Sequence, residues 1–200
     1  MKNLFETAGR KFGGSARELS RPVSLSVCAM MLAITLVLSY FGNISITFLG
    51  TNVIKLSFTV IPIAVAGMLY GPVCAGIIGG LSDIIGFMLA PMGAYIPGFT
   101  ISMVLIGFVF GIALYEEKPS LLRIAAAQFV VSLFISTLLG SLWFVLFYGF
   151  RPLQALSVRG IKELVMYPIS VALVFLIAKT VARLPEIETL RKKKRRSPQE

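Results

Sequence analysis

The chain reads as an all-α integral membrane protein, a bundle of six transmembrane helices with both termini on the cytoplasmic side. Three observations carry that fold class. Of the 200 residues, 56% are hydrophobic and only 14% charged, with a mean hydropathy of +0.87, whereas soluble domains run near ~25% charged. Six apolar runs recur, at 23–42, 56–70, 73–90, 98–115, 122–147 and 158–181, against the roughly 17 to 25 residues that cross a bilayer. The bases are sided as well. An inward N-terminus leaves only Lys55, Arg151, Arg159 and Lys162 of the 19 Lys and Arg residues on the outer face, as the positive-inside rule expects.

Residues 1–22 form a basic leader, expected on the cytoplasmic side. It has no short apolar core ending in small residues, so it is not read as a signal peptide. Within the first span, Ala29-Met30-Met31-Leu32-Ala33 spaces two small residues four apart, a face that lets another helix come close in lipid. The connection Asn43–Ile54 is polar for this chain and adjoins Lys55; it is the expected lid. The second span is short and ends at Gly71-Pro72.

The third span is glycine-rich, and Gly76 and Gly80 are expected to serve helix packing. It also carries Asp83, the one acid deep in a span. Ser82–Met103 adds Pro91, Pro97, Gly93, Gly98, Tyr95 and Phe99. Irregular backbone at membrane depth is tolerated where it is buried in protein or lines a cavity, and an intramembrane acid marks a functional site by default. The stretch therefore points to a pocket. Asp83 has three readings: it accepts hydrogen bonds from a heterocycle, it pairs with a base such as Lys55, or it caps a helix. Tyr95 and Phe99 are held by prolines and glycine where a flat ring can stack on them. Thr100 and Ser102 place hydroxyls in the first turn of the fourth helix. Trp143, Phe147 and Tyr148, closing the fifth span, read as an interfacial belt.

The sixth span opens with Arg159, Lys162 and Glu163. The four outer bases, opposed by one outer acid, suit a negatively charged small molecule or are simply solvated. Residues 182–200 form a polybasic cytoplasmic tail, which anionic lipid of the inner leaflet attracts; nucleic acid is not an expected partner.

Absences narrow the function. The chain has no His, the commonest general base and metal ligand. Cys28 and Cys74 stand alone, and no G-x-x-x-x-G-K-[ST] phosphate loop is present. No catalytic residue, metal or cofactor is expected, which argues against a membrane-embedded enzyme. A solitary ion-coupled carrier would show several intramembrane polar groups rather than one.

A six-span chain with AxxxA in its first helix resembles the substrate-binding (S) component of an energy-coupling factor transporter. KLSFTVIPIAVAGMLYGPVCAGIIGGLSDIIGFMLAPMGAYIPGFTIS is similar, more narrowly, to the folate-specific S components. GAYIPGFT is its more folate-like part, while IPIA and AGMLYGP are shared with S components for other vitamins. The resemblance implies a high-affinity vitamin binder in the cytoplasmic membrane that does no chemistry. Its implied partners are a transmembrane coupling subunit, docked through Ala29 and Ala33, and two cytoplasmic ATPases. It implies a substrate site drawn from Lys55, Asp83, Tyr95, Phe99, Thr100, Arg151, Arg159 and Lys162, although Gly160-Ile161 departs from the usual run. An S component for another vitamin or a nucleobase-like ligand, or a solitary ion-coupled carrier, stays open as an alternative.

Overall fold

The computed structural model describes residues 2–41, 44–48, 51–56, 58–91, 95–117, 119–149 and 151–183. The polybasic tail from residue 184 onward lies outside the described residues. Eight α-helices follow one another among those residues. They are α1 (Lys2–Leu19), α2 (Pro22–Phe41), α3 (Val60–Tyr70), α4 (Pro72–Leu89), α5 (Pro97–Leu114), α6 (Leu121–Val130), α7 (Gly140–Tyr148) and α8 (Pro152–Ala182). A π-helical segment, Val131–Leu139, joins α6 to α7 into one continuous rod. Two strands, β1 (Ile44–Phe48) and β2 (Thr51–Leu56), form an antiparallel hairpin with Ser45 opposite Lys55 and an irregularity between Ile46 and Phe48. The connection expected between the first two spans is therefore largely this hairpin, and the helix of the expected second span, α3, starts at Val60 rather than 56.

Among the described residues, five helices are long and apolar enough to cross a membrane: α2, α4, α5, the rod Leu121–Phe147, and Arg159–Ala182 within α8. The expected second span differs. α3 has 11 residues, a length of about 16 Å at ~1.5 Å per residue, half of a bilayer core of roughly 30 Å. Its sequence IPIAVAGM is apolar on every side because every side is covered. Ile63 and Ala66 pack with Cys28 of α2 and Cys74, Ala75 and Ile78 of α4. Ala64 and Met68 pack into the main core with Phe110, Leu114, Ile124, Val131 and Val174. A helix hydrophobic all round belongs in the centre of a bundle, and α3 sits there, between the two cores.

Small residues set the closest packing, as expected for Gly76 and Gly80. A Cβ on Gly76 would overlap the Phe108 ring, and one on Gly80 would lie 2.9 Å from Val104 Cγ2. From the other side, a Cβ on Gly107 would collide with the backbone at Ala75 and Gly76. Glycines on both helices thus bring α4 and α5 into backbone contact. With lipid tails as apolar as leucine, van der Waals packing of this kind is what holds helices together.

The basic leader is more than a charged stretch: α1 closes one end of the bundle. Ser15 Oγ donates to Tyr70 O (2.7 Å) and accepts from the N–H groups of Val73 (3.0 Å) and Cys74 (3.4 Å). Those are the donors that a helix start leaves unsatisfied. The residue preceding α4 is Gly71, at φ 89°, with no side chain to serve as a cap, and a Cβ there would meet Ser15 Cβ at 2.7 Å. Ser15 therefore caps α4 from another helix. Lys11 Nζ donates to Ile112 O (2.9 Å) at the other terminus of α5, and Phe12 packs edge-on against Phe108 (5.2 Å).

Candidate functional site

At the end of the bundle away from α1, five of the expected site residues converge on the start of α5. Ile96 is extended and Pro97 takes the first helical position, where its missing N–H costs nothing. That entry places Phe99 and Thr100 in the opening turn of α5 and Tyr95 just before it. Thr100 Oγ1 donates to Oδ2 of Asp83 (2.6 Å), which stands in the second half of α4, and Tyr95 Oη lies 2.7 Å from Thr100 Oγ1. A hydroxyl has one proton. Thr100 gives its own to the carboxylate, so Tyr95 is the donor in the second bond. The result is a relay Tyr95–Thr100–Asp83 that leaves Asp83 Oδ1 as an acceptor. The partner of Asp83 is thus the Thr100 hydroxyl rather than a base, and the side chain of Lys55, the base suggested for it, lies outside the described residues. Phe87 packs on the Tyr95 ring at 5.2 Å.

The second half of the site is built around Arg159 on α8. Its guanidinium carbon lies 4.4 Å from the Phe144 ring centre and 5.7 Å from that of Phe99, and its Nη1 donates to Ser136 O at 3.0 Å. No carboxylate among the described residues lies within ion-pair distance of it. Phe99 and Phe144 meet edge to face at 5.7 Å. Phe99 and Thr100 are neighbours, so the relay and the cation flank one aromatic wall. A cation over aromatic faces is attracted by the ring quadrupole while its remaining N–H groups stay available to an anion.

The other expected residues are placed less tightly. Lys162 is half-buried and one turn beyond Arg159 on α8. Arg151 is exposed, at the cap position of that helix. β2, which carries Lys55, runs beside α8. Ala29 and Ala33 are exposed on α2, whose spanning segment is 17% buried, the lowest of the five.

Sequence reasoning missed Phe87, Phe144 and the position of Trp143. Rather than joining a belt, Trp143 lies over Gly98, where a Cβ would overlap its indole, and donates from Nε1 to Ser102 Oγ (3.2 Å). Ser102 in turn donates to Gly98 O (3.0 Å). The indole pins the start of α5 from behind. The available signal was the density of aromatics from Trp143 to Tyr148, which alone does not separate belt from bundle. A groove of about 330 Å³ beside α7 is lined by Leu138, Leu142, Val145, Pro152, Leu153, Leu156 and Ser141. None of the lining residues is charged, and none of the expected site residues is among them.

The model of the ECF transporter, substrate-specific component family matches residues 23–184. Over 156 residues the chain is 32% identical to a folate transporter FolT of Clostridium novyi (strain NT), covering 78% of this chain and 88% of that protein. A folate transporter FolT of Leuconostoc mesenteroides subsp. mesenteroides is 29% identical over 155 residues, 74% of this chain and 80% of its own. Among solved structures, one described as the crystal structure of FolT bound with folic acid superimposes with a TM-score of 0.72. It shares 30% identity and covers 80% of this chain and 95% of that one.

Proposed function

The chain belongs to the ECF transporter substrate-specific component family, and from that membership we propose that it is the folate-binding subunit of a vitamin importer in the cytoplasmic membrane. A component of this family is a transport subunit, not an enzyme, and its apolar helices make this one a multi-pass membrane protein. The observation that carries the ligand is the likeness, at 30% identity and TM-score 0.72 over 95% of its length, to a FolT solved with folic acid.

The site chemistry agrees with that ligand. Folate joins a flat pterin and an aminobenzoyl ring to a glutamate with two carboxylates. Tyr95 and Phe99 supply ring faces, and Asp83, steadied by Thr100, supplies an acceptor for the N–H edge of the pterin. Arg159 binds the glutamate, with Lys162, Lys55 and Arg151 adding positive charge around it. Charge-assisted hydrogen bonds to carboxylate are roughly twice as strong as neutral ones, so the arginine sets affinity more than the hydroxyls do.

Delivery is the work of an assembly. Six membrane passes are read, with α3 and the β1–β2 hairpin making up the second and both termini cytoplasmic, so that the Arg159 end faces outward. The hairpin serves as lid. Ala29 and Ala33 on the exposed face of α2 dock a transmembrane coupling subunit, and two ATPases beneath it drive release inward.

Titration of the purified protein with folic acid tests the assignment. Arg159→Ala is expected to weaken binding about tenfold or more, the loss that goes with ~1.5–3 kcal/mol for a hydrogen bond to a charged group, and Tyr95→Ala to weaken it several-fold, as about 0.5–1.5 kcal/mol of aromatic stacking requires. Unchanged affinity in both variants would remove these residues from the site.

A further inference from the structure

Arg159 occupies space that a side chain on α7 would normally close. A Cβ built on Gly140 overlaps its Nη1 and lies 2.9 Å from its Cζ. The guanidinium sits where it does only because residue 140 has no side chain. The backbone itself makes no such demand: Gly140 has φ −62° and ψ −40°, an ordinary right-handed helix in which alanine is the better residue. Its backbone partners are unusual too. In an α-helix the Gly140 N–H would go to Ser136 O, four residues back. Coming out of the π segment it goes to Ile135 O and Thr137 O, and Ser136 O takes Arg159 Nη1 at 3.0 Å. A bare backbone position, a carbonyl turned to a side chain and two ring faces thus form one seat for one cation.

We infer that Gly140 and the π-to-α junction it occupies are positioning residues for Arg159, and that through it they set the preference for an anionic ligand arm over an uncharged one of the same shape. The inference rests on the folate reading above, in which the arm is glutamate. Gly140 touches no ligand in this scheme. It acts by fixing where the positive charge stands, at the edge of the wall made by Phe99 and Phe144. A methyl group at residue 140 displaces the far end of a flexible side chain and leaves the helix intact. The change is therefore read in ligand preference rather than in folding.

The test compares folic acid with its glutamate diamide, which keeps the size and removes both charges. The parent is expected to bind folic acid at least about tenfold more tightly than the diamide, the scale of one hydrogen bond to a charged group. Gly140→Ala should lose most of that preference by weakening folic acid alone. Its affinity for the diamide and its thermal midpoint without ligand should match or exceed the parent's. Arg159→Ala should lose the same preference, and the double variant no more than either single one. A Gly140→Ala protein that keeps the parent's preference, or that weakens both ligands alike, overturns the inference and leaves folate binding standing. A parent that binds both ligands equally shows that the arm's charge is not read, and also overturns it. A parent that binds neither removes the folate reading, and the inference with it.

Discussion

Thr100 is the residue on which the Asp83 half of the candidate site turns, because its hydroxyl is spent twice: it donates to Asp83 at 2.6 Å and accepts from Tyr95 at 2.7 Å. Valine has the same shape without either capacity. Thr100→Val should cost about 1–2 kcal/mol of stability, since a carboxylate oxygen loses its donor in a partly buried place. It should weaken folic acid further by freeing the Tyr95 ring, whereas Thr100→Ser should retain both properties; thermal unfolding and ligand titration measured together read the two effects. These residues were legible in the sequence because Asp83, Tyr95, Phe99 and Thr100 share one short stretch whose composition is expensive in lipid. Phe144 and Gly140 were not. Their part depends on where α7 crosses α5 and α8, and no local pattern in a long apolar run records a crossing. Trp143 was misassigned for a related reason: an indole near the end of a span looks the same whether it faces headgroups or, as here, lies over Gly98 and bonds Ser102.

At the scale of elements, α1 holds ends that their own sequences leave open. Replacing Ser15 by alanine removes the cap from the Val73 and Cys74 N–H groups and the donor to Tyr70 O. A loss of about 1–2 kcal/mol is expected, the usual cost of a missing N-cap. Ser26→Ala is the control, because that exposed hydroxyl bonds only to Pro22 O one turn back in its own helix. It should change the midpoint of unfolding little. Lys11 adds a pH signature. Burial holds its ammonium below the ordinary 10.5, against the attraction of Glu117 and Glu116. In the interval below 10.5 the unfolded chain therefore binds more protons than the folded one, and stability rises with pH there. Unfolding series on the parent and Lys11→Met should diverge in the parent's favour as pH is raised toward 10.5, and parallel curves would show that the buried amine carries no such penalty. None of this could be read from a leader whose composition announces only charge. The short second helix was more legible: its run of apolar residues without a polar face is what a fully covered helix requires. Its starting point was not, because β-branched residues flanking it suit a hairpin as well as a span.

For the molecule as a whole, the two ends and the least covered helix divide the labour. α1 seals the end read as cytoplasmic, the cation and aromatics gather at the other, and α2 is left with most of its surface uncovered. Exposed apolar surface alone says nothing in a bilayer, where lipid solvates it as well as protein does. What singles out α2 is that Ala29 and Ala33 are both exposed and lie one turn apart beside Met30, itself 63% exposed. Close backbone approach depends on such small residues. Leucine at either position keeps the face apolar and the helix stable while holding a partner's backbone away. Ala29→Leu and Ala33→Leu should therefore bind folic acid as the parent does, since neither lies near Arg159 or Tyr95. Both should fail to co-purify with the coupling subunit and ATPases, and folate uptake by cells expressing all subunits should fall with complex formation. Uptake that survives both changes would move docking to another face. Binding lost along with uptake would mean that α2 supports the site rather than the assembly.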